Sequence, residues 1–213
     1  MIFVWLGLLT TAVSLGLLLV AHAGGWRWLQ WVTKPLASTG FLVVALGLGA
    51  LDSSYGMLVL LALAFCWMGD LLLIPAGHKR TFVAGLGVFL LGHVVLIAAF
   101  ITSGTSLPWL GGATLFMAAV ALVTGRWLVP HAPSKLRPVV WLYICLIGLM
   151  VASAIGATMG GGPPVASAGA AVFAVSDIAV ARHRFVSPSI MNKLWGLPLY
   201  YLGVLLIAWS VAS

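Results

Sequence analysis

The first twenty residues, MIFVWLGLLTTAVSLGLLLV, carry no ionisable side chain, and seven further apolar stretches of similar kind follow. About twenty apolar residues make a helix as long as the hydrocarbon core of a bilayer is thick. Eight spans are expected, at roughly 2–21, 35–50, 56–75, 82–101, 108–125, 138–158, 164–181 and 195–212, the second and fifth short for a crossing. Gly, Pro and Ser clusters such as HAGGWRW, LDSSYG, PAGHKR and GGGPP separate them. The first stretch lacks a basic leader, and HAGGW is a poor cleavage site, so it reads as a retained first helix. At 63% hydrophobic and 6% charged residues, with mean hydropathy +1.20, the chain is expected to be an all-α polytopic membrane bundle in a single domain, 1–213.

A net charge of +7 does not make this a nucleic-acid binder, because the cations form no patch. Arg27 and Lys34 precede the second span, and Lys79 and Arg80 the fourth. Arg126, Lys135 and Arg137 fall between the fifth and sixth, and Arg182, Arg184 and Lys193 between the seventh and eighth. These are all ten Lys and Arg, and every one lies in an odd-numbered connection. The positive-inside rule then puts the odd connections in the cytoplasm and both termini outside, as for a multi-pass protein of the cell (inner) membrane. Cys66 and Cys145 lie in apolar segments and read as buried thiols, not as a disulfide or metal pair.

The two halves, about 1–103 and 104–213, share short matches in the same order. RWL at Arg27, KPL at Lys34, GDL at Gly69, HKR at His78 and GLGVFLLG from Gly85 are answered by RWL at Arg126, RPV at Arg137, SDI at Ser176, HRF at His183 and GLPLYYLG from Gly196. Two parallel four-helix repeats about a pseudo-two-fold axis along the membrane normal would explain this order. They would make Asp70 and Asp177 counterparts, each roughly 8–10 Å below its basic connection. The small residues of ASAGAAVFAVSD would let a neighbouring helix approach Asp177 closely.

Acidic residues are rare: Asp52, Asp70 and Asp177, with no Glu. A carboxylate at the centre of a membrane helix costs about 2.5–3.5 kcal/mol on insertion scales, so intramembrane acids are functional candidates. Asp70 and Asp177 can each pair with a cation such as Lys34, Arg137 or Arg182. Alternatively they form a pair with split proton affinities, suited to acid/base chemistry or to proton-coupled transport. His93 shares a helix face with Gly85 and Phe89 and is either a hydrogen-bonded core residue or a site residue. Lys34 is a snorkelling anchor or a partner for phosphate or carboxylate, with Arg137 as its counterpart. Tyr200 and Tyr201 need hydroxyl partners if buried. No three-ligand cluster forms within the spans, so neither a metal nor a cofactor is expected.

Several of these motifs resemble the YhhN-type lysoplasmalogenase family. They are KPL at Lys34, MGDLLLI around Asp70, the spacing from Phe82 to His93, FAVSD ending at Asp177 and YYLGVLLI from Tyr200, which together extend over about 34–207. Gly203 and Val204 stand where the family motif has Ala and Gln. The resemblance implies hydrolysis of the vinyl ether bond of a lysoplasmalogen, giving a fatty aldehyde and a glycerophospho-ethanolamine or -choline. It implies Asp70 and Asp177 as the acid/base pair, with Lys34, His93, Arg137, Ser176, Tyr200 and Tyr201 around the lysophospholipid. Membrane lipids would be the only other partners. A proton-coupled lipid transporter or flippase, or a lipid-binding membrane protein, would use the same two acids.

Overall fold

A computed structural model describes residues 1–75 and 78–212, without the side chain of Lys79. Its main elements are eight α-helices: α1 Ile2–Ala23, α2 Arg27–Gly47, α3 Ser54–Leu72, α4 Lys79–Thr102, α5 Leu107–Leu128, α6 Arg137–Met159, α7 Pro164–Ala181 and α8 Ile190–Trp209. All eight are long and apolar enough to cross a membrane. The all-α polytopic architecture therefore follows, and the protein is an integral multi-pass membrane protein.

Local sequence explains the starts. Proline stands in the first turn of α5, α6 and α7, where its missing N–H costs nothing. Ser53 caps α3 by accepting from the Gly56 N–H at 3.0 Å, and Ser189 caps α8 by accepting from Met191 at 3.2 Å. Gly104, at φ 93°, turns the chain between α4 and α5 in a left-handed conformation that a side chain would strain.

Several boundaries differ from expectation, among them the start of α8 at Ile190, not 195, and the end of α3 at Leu72, not 75. The second helix starts at Arg27, not 35, and encloses Pro35; the fifth runs on to Leu128. Both are full-length spans. Arg27 and Lys34 depress the local hydropathy, but backbone inside a bilayer must stay hydrogen-bonded, so the helix persists through polar residues and a proline. Lys34 is thus two turns inside α2, not at its start. Cys66 is buried as expected, but Cys145 is exposed on α6. An apolar context cannot separate the two cases, because lipid and protein interior are alike apolar.

Each helix packs most heavily on its neighbour in sequence, α1 on α2, α3 on α4, α5 on α6 and α7 on α8. The halves meet where α4 lies on α6 and α2 on α8. Glycines permit the closest crossings. A Cβ on Gly7 would lie 2.6 Å from the Gly40 carbonyl oxygen, and one on Gly203 would lie 2.8 Å from the Phe173 nitrogen. Gly203→Leu is therefore expected to push α8 off α7 and to destabilise the bundle by about 1–3 kcal/mol. The check is a lower thermal unfolding midpoint in detergent.

The core joins Phe41, Leu63, Leu96, Met150, Phe173 and Ile207 from α2, α3, α4, α6, α7 and α8. The two outer helices are not equivalent. α1 packs on α8 as well as on α2, whereas α5 packs mainly on α6. Leu115, Phe116 and Val123 of α5 are 76%, 66% and 71% exposed. The space between α5 and the helices α4 and α7 remains as an apolar groove. The interior holds the polar side chains: Lys34, Ser38, Asp70, His93, Ser176 and Asn192 are buried.

Candidate functional site

Asp70 sits in the last turn of α3 and is 2% exposed. Burying a carboxylate is tolerable only if its lone pairs are filled, and here they are. Lys34 Nζ of α2 lies 3.2 Å from Oδ1. Oδ2 accepts from the Ser38 hydroxyl at 2.5 Å and from the Tyr200 hydroxyl at 2.8 Å. The Tyr201 hydroxyl is 3.1 Å from Ser38 Oγ and 3.4 Å from the Lys34 carbonyl oxygen. Every group facing Asp70 is a donor, so the pattern is that of an ionised carboxylate with no proton of its own. Ser38 stands one turn after Lys34, on the same face of α2.

Asp177, in the last turn of α7, has a different setting. His93 Nε2 of α4 lies 3.3 Å from its Oδ2. Neither atom completes a hydrogen bond among the described residues. His93 Nδ1 is 2.7 Å from the Phe89 carbonyl oxygen, which can only accept, so Nδ1 carries a proton. Nε2 is then the ring nitrogen that faces Oδ2. Rings pack around the pair: Phe173 and Tyr143 lie 4.8 and 5.4 Å from His93, centroid to centroid. Phe173 also touches Tyr200 at 5.5 Å, so one ring bridges the two carboxylate sites.

Asp70 and Asp177 line one cavity of about 330 Å³, together with Lys34, Ser176 and Tyr200. Towards the connections this cavity is polar and basic, with His22, His183, Arg184, Asn192 and Lys193. The apolar groove, about 410 Å³, opens from the same place between α4, α5, α6 and α7. The two spaces share Phe82, Leu86, Tyr143, Asp177 and Val180. Asp177 is the carboxyl at the seam between them.

The expected residues are placed as follows. Lys34, Asp70, Ser176, Asp177 and Tyr200 line the cavity, with His93 and Tyr201 directly behind it. The Ser176 hydroxyl donates to its own helix, at the Phe173 carbonyl oxygen. Arg137 does not join this cavity lining: it donates to the carbonyl oxygens of Ala132 and Pro130, closing its own turn. The two aspartates accept no bond from each other; each is held by different partners. Ser38, Tyr143, Phe173 and the pair His22–Lys193 were missed. Of these only Ser38 carried a usable signal, its spacing from Lys34.

The bundle defines a class: integral membrane proteins with two carboxyls in a buried polar cavity that opens into an apolar groove. Within that class the chain belongs to the YhhN family, whose model matches residues 29–211. It is also 28% identical to lysoplasmalogenase TMEM86A of Bos taurus over 187 residues, 84% of this chain and 75% of that protein. No solved structure matches the chain.

Proposed function

We propose that this protein is a membrane-embedded ether hydrolase that cleaves the vinyl ether bond of lysoplasmalogens. Its products are a fatty aldehyde and a glycerophospho-ethanolamine or -choline. The observation that carries the reading is Asp177 at the seam of a basic polar cavity and an apolar groove. An amphiphile with its head in the first and its chain in the second brings the bond between them to that carboxyl. The groove follows α6 from Val140 to Ile155, about 22 Å of helix, a fitting length for a long alkenyl chain. Membership of the family and similarity to a lysoplasmalogenase support the same substrate class.

The chemistry is acid catalysis at carbon. Protonated Asp177 gives its proton to the outer carbon of the C=C–O unit, leaving an oxocarbenium ion at the carbon bonded to oxygen. The new carboxylate and the ring of Tyr143, which lines both spaces, stabilise that cation. Water attacks it and passes a proton to His93 Nε2, whose lone pair is free because Nδ1 holds the other proton. The hemiacetal collapses to aldehyde and glycerol hydroxyl, and His93 returns the proton to Asp177. Asp70 remains ionised, neutralised by Lys34, and fixes Tyr200 beneath Phe173. In this reading the two aspartates divide the work between a proton donor and a fixed charge, as the two carboxylates of glycosidases do.

The two halves, about 1–103 and 104–213, are read as duplicated units, because the joint of α4 on α6 recurs as α2 on α8. The odd connections are assigned to the cytoplasmic side of the cell membrane by their cations.

Detergent-purified protein is expected to release aldehyde from a lysoplasmalogen but not from the saturated alkyl ether, which has no double bond to protonate. Absence of aldehyde, with proton-dependent lipid flux in vesicles, would replace the hydrolase by a transporter. Gly148 faces the groove, and a Cβ there would meet only Met117 at 3.5 Å. Gly148→Phe is expected to raise KM about tenfold for long alkenyl chains and to spare short ones. Kinetics on a chain-length series check this.

A further inference from the structure

The basic end of the cavity contains more positive charge than the protein neutralises. Lys193 of α8 donates through Nζ to His22 Nδ1 of α1 at 3.2 Å. Because Nδ1 accepts, the proton of neutral His22 is on Nε2, which remains a donor, and Lys193 keeps two further N–H groups. Arg184 lies with its guanidinium carbon 4.2 Å from the centre of the Phe82 ring, leaving its N–H edges free of that contact. All three line the cavity.

No acid answers them. The chain has three acidic residues. Asp70 is saturated by Lys34, Ser38 and Tyr200. Asp177 faces His93. Asp52 belongs to the turn between α2 and α3, at the opposite end of the bundle. A head group entering this end meets His22, Arg184 and Lys193, while the side-chain oxygen of Asn192 is already taken by Arg182. Its phosphate is well served, but an ammonium group beyond the phosphate finds no carboxylate. The ring beside Arg184, Phe82, already holds a guanidinium over its face.

We propose that His22, Arg184 and Lys193 form a phosphate site that selects lysolipids whose head group has net negative charge, a phosphate monoester or phosphoglycerol, over zwitterionic ethanolamine or choline. This replaces ethanolamine and choline as the preferred head group and rests on the hydrolase reading for turnover, but the binding preference stands apart from catalysis. The contribution of His22 also lies outside residues 29–211, the region that the family model matches.

The test measures binding of saturated alkyl ether lysolipids to the full-length protein in neutral detergent. Such analogues have no vinyl ether and are not consumed. An alkyl glycerophosphate is expected to bind about tenfold more tightly than the matching phosphocholine, about 1.4 kcal/mol. Raising the salt should shrink this ratio, and Lys193→Gln should bring it close to one. Arg184→Gln, more exposed and so better tolerated, should reduce it as well. Equal affinity for the two head groups in wild type, or tighter choline binding, would overturn the proposal. Turnover on the vinyl ether pair then separates the two readings. Cleavage of both with no preference defeats the selectivity alone, whereas tight anionic binding without cleavage defeats the hydrolase alone.

Discussion

Asp177→Asn is expected to lower aldehyde release by about 10²- to 10⁴-fold, the usual worth of a positioned acid or base. An amide has no proton to give to carbon, and no other carboxyl touches both the polar cavity and the apolar groove. The variant should still fold, because Asp177 completes no hydrogen bond that the exchange would remove. Single-turnover aldehyde assays and thermal unfolding, run on the same preparation, separate the two effects. Activity within tenfold of wild type would remove Asp177 from the mechanism. His93→Gln should show a smaller deficit, since water can carry off the second proton more slowly without it.

A different large effect is expected at Lys34. Lys34→Met leaves the Asp70 carboxylate buried without its cation, and breaking a buried pair from one side typically costs about 3–5 kcal/mol. Ser38 and Tyr200 still donate to Oδ2, so the loss should fall at the lower end. The double variant Lys34→Met with Asp70→Asn should regain much of the stability, because neither charge then remains. Unfolding midpoints of the two singles and the double in one detergent make the cycle. An unchanged midpoint for Lys34→Met would mean that Lys34 is only a snorkelling anchor and that Asp70 needs no cation.

The two aspartates show how far the residues alone reach. Their cost in hydrocarbon marks Asp70 and Asp177 in a chain otherwise almost without acids, and the repeat suggests that they are alike. The packing makes them unlike. Asp70 has three donors, while Asp177 has one imidazole nearby and no completed hydrogen bond at Oδ2. The matched motifs differ at the same points, because Tyr200 matches Phe89 and Val204 matches His93, so each half supplies a different group to the other half's carboxyl. Arg137 illustrates the opposite failure. It matches Lys34 in the repeat, yet it closes its own turn, and Lys193 stands in the cavity instead.

The sequence by itself determined the number of crossings, the all-helical architecture and the polar side chains that had to be sheltered. Bilayer thickness and the cost of buried charge act on each segment separately, so a linear reading captures them. Only the tertiary structure decided which helix faces meet: Lys34 with Asp70, His93 with Asp177, and α5 set away from α4 to leave a groove. Helix rotation is weakly written in a membrane chain. Lipid and core are both apolar, and close packing of small residues, more than a hydrophobic face, sets which side turns inward.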